Sequence, residues 1–312
     1  MKSTPLVSII TVNYNQTNAT CEFLESLHNL NYSNYEVIVV DNASSQTSVG
    51  LKKTFPFITH ITSPHNIGFA GGNNLGLHYA KGEYVFFINN DTIVTNDLLD
   101  VLVKHLQDNI KCGIVCPKIK YYSQPDTIQY AGAIGLHPIT CRSHDIGYLQ
   151  KDDGSYDVTR KTDLPNGAAM LIPMNLIRKI GTMSEIFFLY YEELDWAAKF
   201  KKAGYEIHYV GGASILHKES LSTGKYSPFK TYYLHRNRLL YIRRNHLGLK
   251  KIAGCTFFSI ISTPFHLAKY LIKGEWSHIS ATVKALFWHL NHNPNREPLI
   301  NSESLKQRLL II

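Results

Sequence analysis

Four groups of side chains along this chain have the types and spacing to do chemistry. Asp41 closes the apolar run Val37–Val40, and Asp91 closes the run Tyr84–Ile88 inside the triplet Asn89-Asn90-Asp91. Glu192, Glu193 and Asp195 crowd together at the head of a helical stretch, and His217 follows an apolar run and a Gly-Gly pair. Each group answers a chemical need. The hydroxyls and base edge of a nucleoside need an acceptor, which Asp41 supplies. A diphosphate leaving group needs a divalent cation, and hard cations take carboxylate oxygen. Asp91 with His217 would leave positions open for phosphate oxygens and water, and a neutral imidazole suits manganese better than calcium. An acceptor hydroxyl needs a general base, which the acidic cluster offers. Taken singly, each group has an ordinary alternative. Aspartates at strand ends often cap turns, acids collect in the first turn of helices, and a lone histidine is commonly structural. Their joint order along one chain gives them weight.

The elements that must position them follow from the hydrophobic pattern. Val7–Val12, Val37–Val40, Phe57–Ile61, Tyr84–Ile88, Gly113–Ile119, Ala168–Ile172 and Tyr205–Val210 read as strands. Phe23, Leu24, Leu27 and Leu30 recur at helical spacing; Asn74–Ala80 (stopped by Gly82), Leu98–Leu106 and Glu192–Ala203 (stopped by Gly204) read as helices. Continuous apolar strands alternating with helices predict an α/β fold with a mostly parallel central sheet flanked by helices. In such sheets ligands bind beyond the carboxyl ends of the strands, where Asp41 and Asp91 fall. Tyr121–Thr162 shows no clear period.

The chain has 312 residues, 44% of them hydrophobic, which is too apolar for a disordered protein. From Leu221 onward 14 Lys and Arg face three acids, whereas the first 220 residues are slightly acidic. This divides the chain into a body, 1–220, and a basic, aromatic, mainly helical extension, 221–312. Phe229–His246 reads as a helix. Ile252–Ile272 is the most apolar stretch, but Ser259, Ser262, Thr263, Pro264, His266 and Lys269 interrupt it, which is poor for a spanning helix. It reads either as a packed helix or as an interfacial amphipathic one. The basic excess is either a solvated face or an attraction to an anionic surface. A membrane surface fits better than nucleic acid, for which no recognition motif is present. Five cysteines form no disulfide or zinc pattern, and Cys112 and Cys116 read as small apolar strand residues. Met1–Leu6 is short and polar, with no secretory apolar region, so a cytoplasmic protein is expected, peripheral to the inner face of the membrane if the extension binds there.

No Gly-x-Gly-x-x-Gly follows the first strand and no Gly-x-x-x-x-Gly-Lys-Ser/Thr is present, which argues against dinucleotide and P-loop sites. Gly68-Phe-Ala-Gly71-Gly72 is rich in glycine but lacks the lysine, and by itself reads as a tight loop entering a helix.

The combination resembles the inverting family 2 glycosyltransferases of the GT-A fold, most closely their bacterial rhamnosyltransferase-like branch, over about Val7 to Arg244. Val7-Ser-Ile-Ile-Thr11-Val-Asn13-Tyr-Asn15 resembles the family's first strand and nucleotide-contact turn. Val37–Asp41-Asn42-Ala-Ser44 resembles the strand whose Asp binds the base. Asn66-Ile-Gly68-Phe-Ala-Gly-Gly-Asn73-Asn74 resembles the loop that closes over the nucleoside. Asn89-Asn90-Asp91 stands where the family has Asp-x-Asp, so Asp91 carries the metal role, and Asn90 falls to the nucleotide side. Pro165-Asn166-Gly167 resembles the strand lining the donor-sugar pocket, to which Trp196 is also assigned. Tyr190-Tyr191-Glu192-Glu193-Leu-Asp195-Trp196 resembles the acidic acceptor-side motif, with Glu193 the first choice of base, then Glu192 or Asp195. His217 matches the late metal-binding His, and Arg236-Asn237 resembles an Arg-Asn motif near the diphosphate.

The resemblance implies a nucleotide-sugar donor (dTDP-rhamnose or a UDP-sugar), Mn2+ or Mg2+, and a hydroxyl acceptor on a cell-surface polysaccharide or lipid-linked oligosaccharide. The implied mechanism is a single inverting displacement. Two other functions fit the same α/β chain less well. A sugar-phosphate nucleotidyltransferase would carry a Gly-rich basic loop after strand one, where this chain has Asn13-Tyr14-Asn15-Gln16. A non-catalytic nucleotide-sugar-binding protein would need no base.

Overall fold

The computed structural model describes residues 4–45, 50–218 and 226–296. Parts of the basic extension, including Lys225, Lys306 and Arg308, therefore lie outside the described residues.

Strands β1 (Val7–Asn13), β2 (Tyr35–Asp41), β3 (Ile58–Thr62) and β4 (Tyr84–Ile88) are the apolar runs of the first half, and they pair in parallel in the order β3-β2-β1-β4. Helices α1 (Thr17–Ser26), α2 (Leu51–Thr54) and α3 (Gly68–Leu77) connect them. Beyond β4 come β5 (Thr92–Val94), α4 (Leu98–Asp108), β6 (Cys112–Tyr121) and β7 (Gln124–Tyr130). The unreadable stretch holds β7, the small pair β8 (Ala133–Ile134) and β9 (His144–Asp145), and β10 (Thr159–Thr162). Then follow β11 (Ala169–Pro173), α5 (Met174–Ile180), α6 (Glu192–Lys202) and β12 (Glu206–His217). The full order is β10-β12-β6-β11-β4-β1-β2-β3. β11 runs antiparallel between β4 and β6, so the sheet is mixed on that side and mostly parallel elsewhere.

Two boundaries differ from the sequence reading. The helix expected over Asn74–Ala80 begins at Gly68 and ends at Leu77, because Gly71, Gly72 and Gly76 pack against Ile67, Val12 and Ile10 where any Cβ would crowd them. The expected strand–turn–His217 is one long strand: β12 runs through Gly211-Gly212 as a bulge, its pairing with β6 jumping from Val210↔Pro117 to Ser214↔Lys118. Gly211 is required there, since a Cβ would sit 2.2 Å from the Tyr156 carbonyl oxygen.

The sheet and its helices enclose one core cluster, in which Cys112 and Cys116 serve as small apolar residues. The C-terminal helices α7 (Pro228–Asn245), α8 (Gly248–Thr256), α9 (Thr263–Ile272) and α10 (Trp276–Asn291) are joined to it through a second cluster. That cluster mixes Leu239, Leu240, Tyr241, Ile242 and Phe258 with Ile186, Phe187 and Tyr191 of the loop before α6. A π-helical turn, Phe257–Ser262, fuses α8 to α9. Among the described residues no helix is long and apolar enough to cross a membrane.

The bulge gives the first prediction. Gly211→Ala should destabilise the fold by about 1–3 kcal/mol through overpacking against backbone. Gly212→Ala, whose Cβ would make only an ordinary contact with Val101 Cγ1 at 4.0 Å, should stay within about 0.5 kcal/mol. Urea denaturation of the pair checks this; equal losses would show that the bulge does not fix β12.

Candidate active site

The cleft lies beyond the carboxyl ends of β1, β2 and β4. Asp91 and His217 meet there because β5, immediately after Asp91, pairs antiparallel with the end of β12, setting His217 opposite Thr92. The Lys218 backbone N–H closes the register on the Asp91 carbonyl at 2.9 Å. As a result His217 Nε2 stands 3.2 Å from Asp91 Oδ1, with the Asn89 amide 3.4 Å from the same nitrogen. Gln129 Oε1 is 2.8 Å from His217 Nδ1. As this network assigns the imidazole proton, Nδ1–H donates to Gln129 and the Nε2 lone pair faces the Asp91 carboxylate. Two electron-pair donors side by side, with the outer ring nitrogen anchored, form a site suited to a cation. Their separation is close to the ~3 Å edge between adjacent ligands of an octahedral cation held at about 2.1 Å. Gln129 was not singled out in the sequence. It is the extra residue of a bulge, since Ile119 pairs with Tyr130 and Lys120 with Ile128, and nothing in an aperiodic stretch marks it.

Glu192 and Glu193 open α6. Glu192 is buried and Glu193 half-buried, and each has a carboxylate oxygen out of water with no hydrogen-bond partner. Burial is the main cause that pushes the Glu193 carboxyl up to about 7, with the nearby Asp145 carboxylate adding to it. Burial and the neighbouring Glu193 charge raise Glu192 well above the usual range, against the pull of Arg236. A carboxyl titrating near neutrality suits a general base. Gly167 lies directly against Glu193, a Cβ there meeting Glu193 Cγ at 3.6 Å. The next residue, Ala168, accepts the Asn89 backbone N–H at 3.0 Å. The 166–168 turn, shaped by Asn166 Oδ1 accepting the Ala168 N–H, thus links Glu193 to the Asn89–Asp91 segment. Asp195 is not available as a base: it is buried and held by Arg244, Asn245 and Lys199, tying α6 to α7.

The segment that delivers the two glutamates is strained. Phe188, Tyr190 and Tyr191 all have positive φ, at 64°, 70° and 75°, each costing about 1–2 kcal/mol for a side chain of this size. Arg236 and Asn237 of α7 hold it. The Arg236 guanidinium donates to the Ile186 and Phe187 carbonyls and to Asn237 Oδ1, and lies over the rings of Tyr233 and Trp288. Asn237 Nδ2 is within hydrogen-bonding distance of the Phe187, Leu189 and Tyr190 carbonyls. Arg236, expected beside a diphosphate, is instead buried as this clamp, its guanidinium taken up by the Ile186 and Phe187 carbonyls and the Asn237 side chain.

The nucleotide-side residues form one hydrogen-bonded rim. Asp41 Oδ1 accepts the Ser44 N–H, Asn13 donates to Ser44, and Asn90 donates to Thr20, which donates to Asn13. Asn15 orders Ser45, and Asn42 bonds Asn66, Gly68 and the Ile67 N–H. Three expected contacts go elsewhere. Thr11 is fully buried inside the sheet and Asn73 is spent on the Phe69 carbonyl within α3. Gly68, at φ 75°, admits the Phe188 backbone, whose carbonyl accepts the Phe69 N–H. Trp196, assigned to the sugar pocket, is a core residue between Phe87 and Phe200 with its N–H on the Gly181 carbonyl. A separate His105–Cys112–His208 group lies at the opposite end of the strands. Its imidazoles are already joined in a hydrogen-bonded chain ending on Glu206.

Residues 8–161 match the model of the family Glycosyl transferase family 2. The low-salt glycan biosynthesis hexosyltransferase Agl10 of Haloferax volcanii is 26% identical over 93% of this chain and 92% of its own length. The dTDP-rhamnosyl transferase RfbF of Shigella flexneri is 25% identical over 82% of this chain and 88% of its own. The mannosyltransferase PcManGT from Pyrobaculum calidifontis, in complex with GDP-Man and Mn2+, superposes with a TM-score of 0.56 at 16% identity, covering 100% of this chain and 82% of that one. S. aureus TarS 1-349 in complex with UDP-GlcNAc gives 0.57 at 18%, covering 89% and 81%. At such identities the solved structures establish the GT-A fold.

Two predictions follow from the geometry. Asn237→Ala should destabilise the protein by about 1–3 kcal/mol, the cost of orphaned buried carbonyls, and should raise hydrogen exchange in 186–191 above that in β1; uniform exchange would contradict the clamp. Glu193 keeps its proton longer folded than unfolded, so its contribution to stability falls as pH rises from about 4.5 to about 7. Glu193→Gln should therefore gain in melting temperature over the parent across that window and hold the gain above it. A gain that shrank with rising pH would disprove the burial.

Proposed function

We propose that this chain, whose residues 8–161 match the model of glycosyl transferase family 2, belongs to that family and is a metal-dependent inverting hexosyltransferase using Asp91, His217 and Glu193. The juxtaposition of the Asp91–His217 pair with Glu193 across the 166–168 turn carries this reading. Glu193 removes the acceptor hydroxyl proton as that oxygen attacks the anomeric carbon, and the nucleoside diphosphate leaves from the opposite face. A divalent cation, Mn2+ or Mg2+, held by Asp91 and His217 would neutralise the charge growing on that diphosphate. Gln129 keeps the imidazole turned toward the site, and Asn13, Asp41, Asn42 and Asn66 shape the nucleoside rim. Asn166 and Gly167 line the sugar side.

For the donor we favour dTDP-rhamnose or a UDP-sugar. The name of the Shigella relative supports the first, and the UDP-GlcNAc on the S. aureus neighbour supports the second. The acceptor is a saccharide hydroxyl, on a cell-surface polysaccharide or a lipid-linked oligosaccharide. Five free cysteines accord with the reducing cytoplasm.

Product formation from a panel of dTDP- and UDP-sugars with Mn2+ tests the reading. Chelator should abolish turnover. Asp91→Ala, His217→Ala and Glu193→Gln should each lose roughly 10²–10⁴ in kcat, and Gln129→Leu about 10–100-fold in metal affinity. Unchanged turnover in Asp91→Ala would overturn the metal assignment, and a product of retained anomeric configuration would overturn the displacement.

A further inference from the structure

The helical run from α8 through the π-helical turn to α9 has an outward face as apolar as its inward one. Gly254, Phe258, Ser262, Thr263 and Tyr270 point inward, where Gly254 meets Ile242 and Phe258 meets His235 of α7. Leu249, Ile252, Ile260, Phe265 and Ile272 point outward, with Ile272 86% and Leu249 83% exposed. The π-helical turn supplies the odd step in this spacing, so the outer stripe stays continuous across 25 residues' worth of helix. A water-facing helix normally turns polar residues outward; one that is apolar on both sides is covered by something. α10 adds Trp276, Phe287 and Leu290, all mostly exposed. Of the 22 large hydrophobic residues exposed among the described residues, eleven fall between Leu247 and Leu290, so the exposure is concentrated and not scattered.

The charge on the same stretch decides the occupant. Lys250, Lys251, Lys269, Lys273 and Lys284 stand against the single acid Glu275, and Lys250, Lys269, Lys273 and Lys284 are exposed. A second copy seated on this face would set lysines against lysines. An anionic bilayer complements both features: acyl chains take the apolar stripe, phosphates take the ammonium groups, and an exposed tryptophan suits the headgroup boundary. We propose that the outer face of α8–α9, with Trp276, Phe287 and Leu290 of α10, docks on an anionic lipid bilayer and lies in its surface. The docking face rests on exposure and charge, and stands whether or not the acceptor is lipid-linked.

Flotation of the full chain with vesicles tests it. The protein should float with vesicles of phosphatidylcholine and phosphatidylglycerol in equal parts at low salt, and several-fold less with phosphatidylcholine alone or at high salt. Ile260→Ser combined with Phe265→Ser should weaken partition about ten- to hundredfold. Lys269→Gln combined with Lys273→Gln should weaken it about tenfold on anionic vesicles and leave neutral ones unaffected. Both double variants should keep the parent's nucleotide-sugar binding, measured by thermal shift, which separates failure of this proposal from failure of the transferase reading. Absence of flotation at low salt would overturn the proposal. So would a dimer in sedimentation velocity that dissociates in the Ile260/Phe265 variant, which would assign the face to a second copy.

Discussion

His217 and Asp91 are far apart in the chain, and they meet because a three-residue strand, β5, has one register on the end of β12. The pairing sets His217 opposite Thr92, and the Lys218 N–H on the Asp91 carbonyl fixes it. Side chains alternate faces along a strand, so a one-residue slip would turn His217 away from the cleft. The bulge at Gly211–Ala213 feeds that register, and the Gln129 bulge in β7 supplies the outer hydrogen bond. Two departures from regular pairing thus aim one imidazole.

The acidic side is built by a different economy of forces. Two adjacent carboxyls are taken out of water, where an ionised pair is costly. Their delivery loop adds three left-handed non-glycine residues. Both costs are offset from α7: Arg236 brings a buried positive charge near Glu192 and saturates carbonyls of the loop, while Asn237 holds the rest. The same loop rests on the first turn of α3, where Gly68 makes room for the Phe188 carbonyl. The extension is therefore mechanically tied to the candidate site, and the second hydrophobic cluster is the seam. The extension that holds the glutamate loop through α7 presents its apolar, lysine-bearing surface on α8–α10.

The fold and much of the cleft were legible in the sequence. Continuous apolar runs ending in Asp41 and Asp91 fix buried strands with carboxylates at their ends, because only a two-sided sheet tolerates such runs. The acids opening α6 and the basic, aromatic extension were equally plain, since local pattern and composition decide them. What local pattern does not encode is partner choice. Arg236 and Arg-rich anion sites look alike in sequence, but the carbonyls of Ile186 and Phe187 had first claim on its guanidinium. Trp196 carries the period of a helix face, and only packing shows that face to be the core. Gln129 is one polar residue in an aperiodic stretch until a bulge turns it onto His217. The sequence by itself determined which residues have the chemistry. The tertiary structure alone decided which of them meet, because strand register, bulges and the competition for buried carbonyls depend on chain segments distant in sequence.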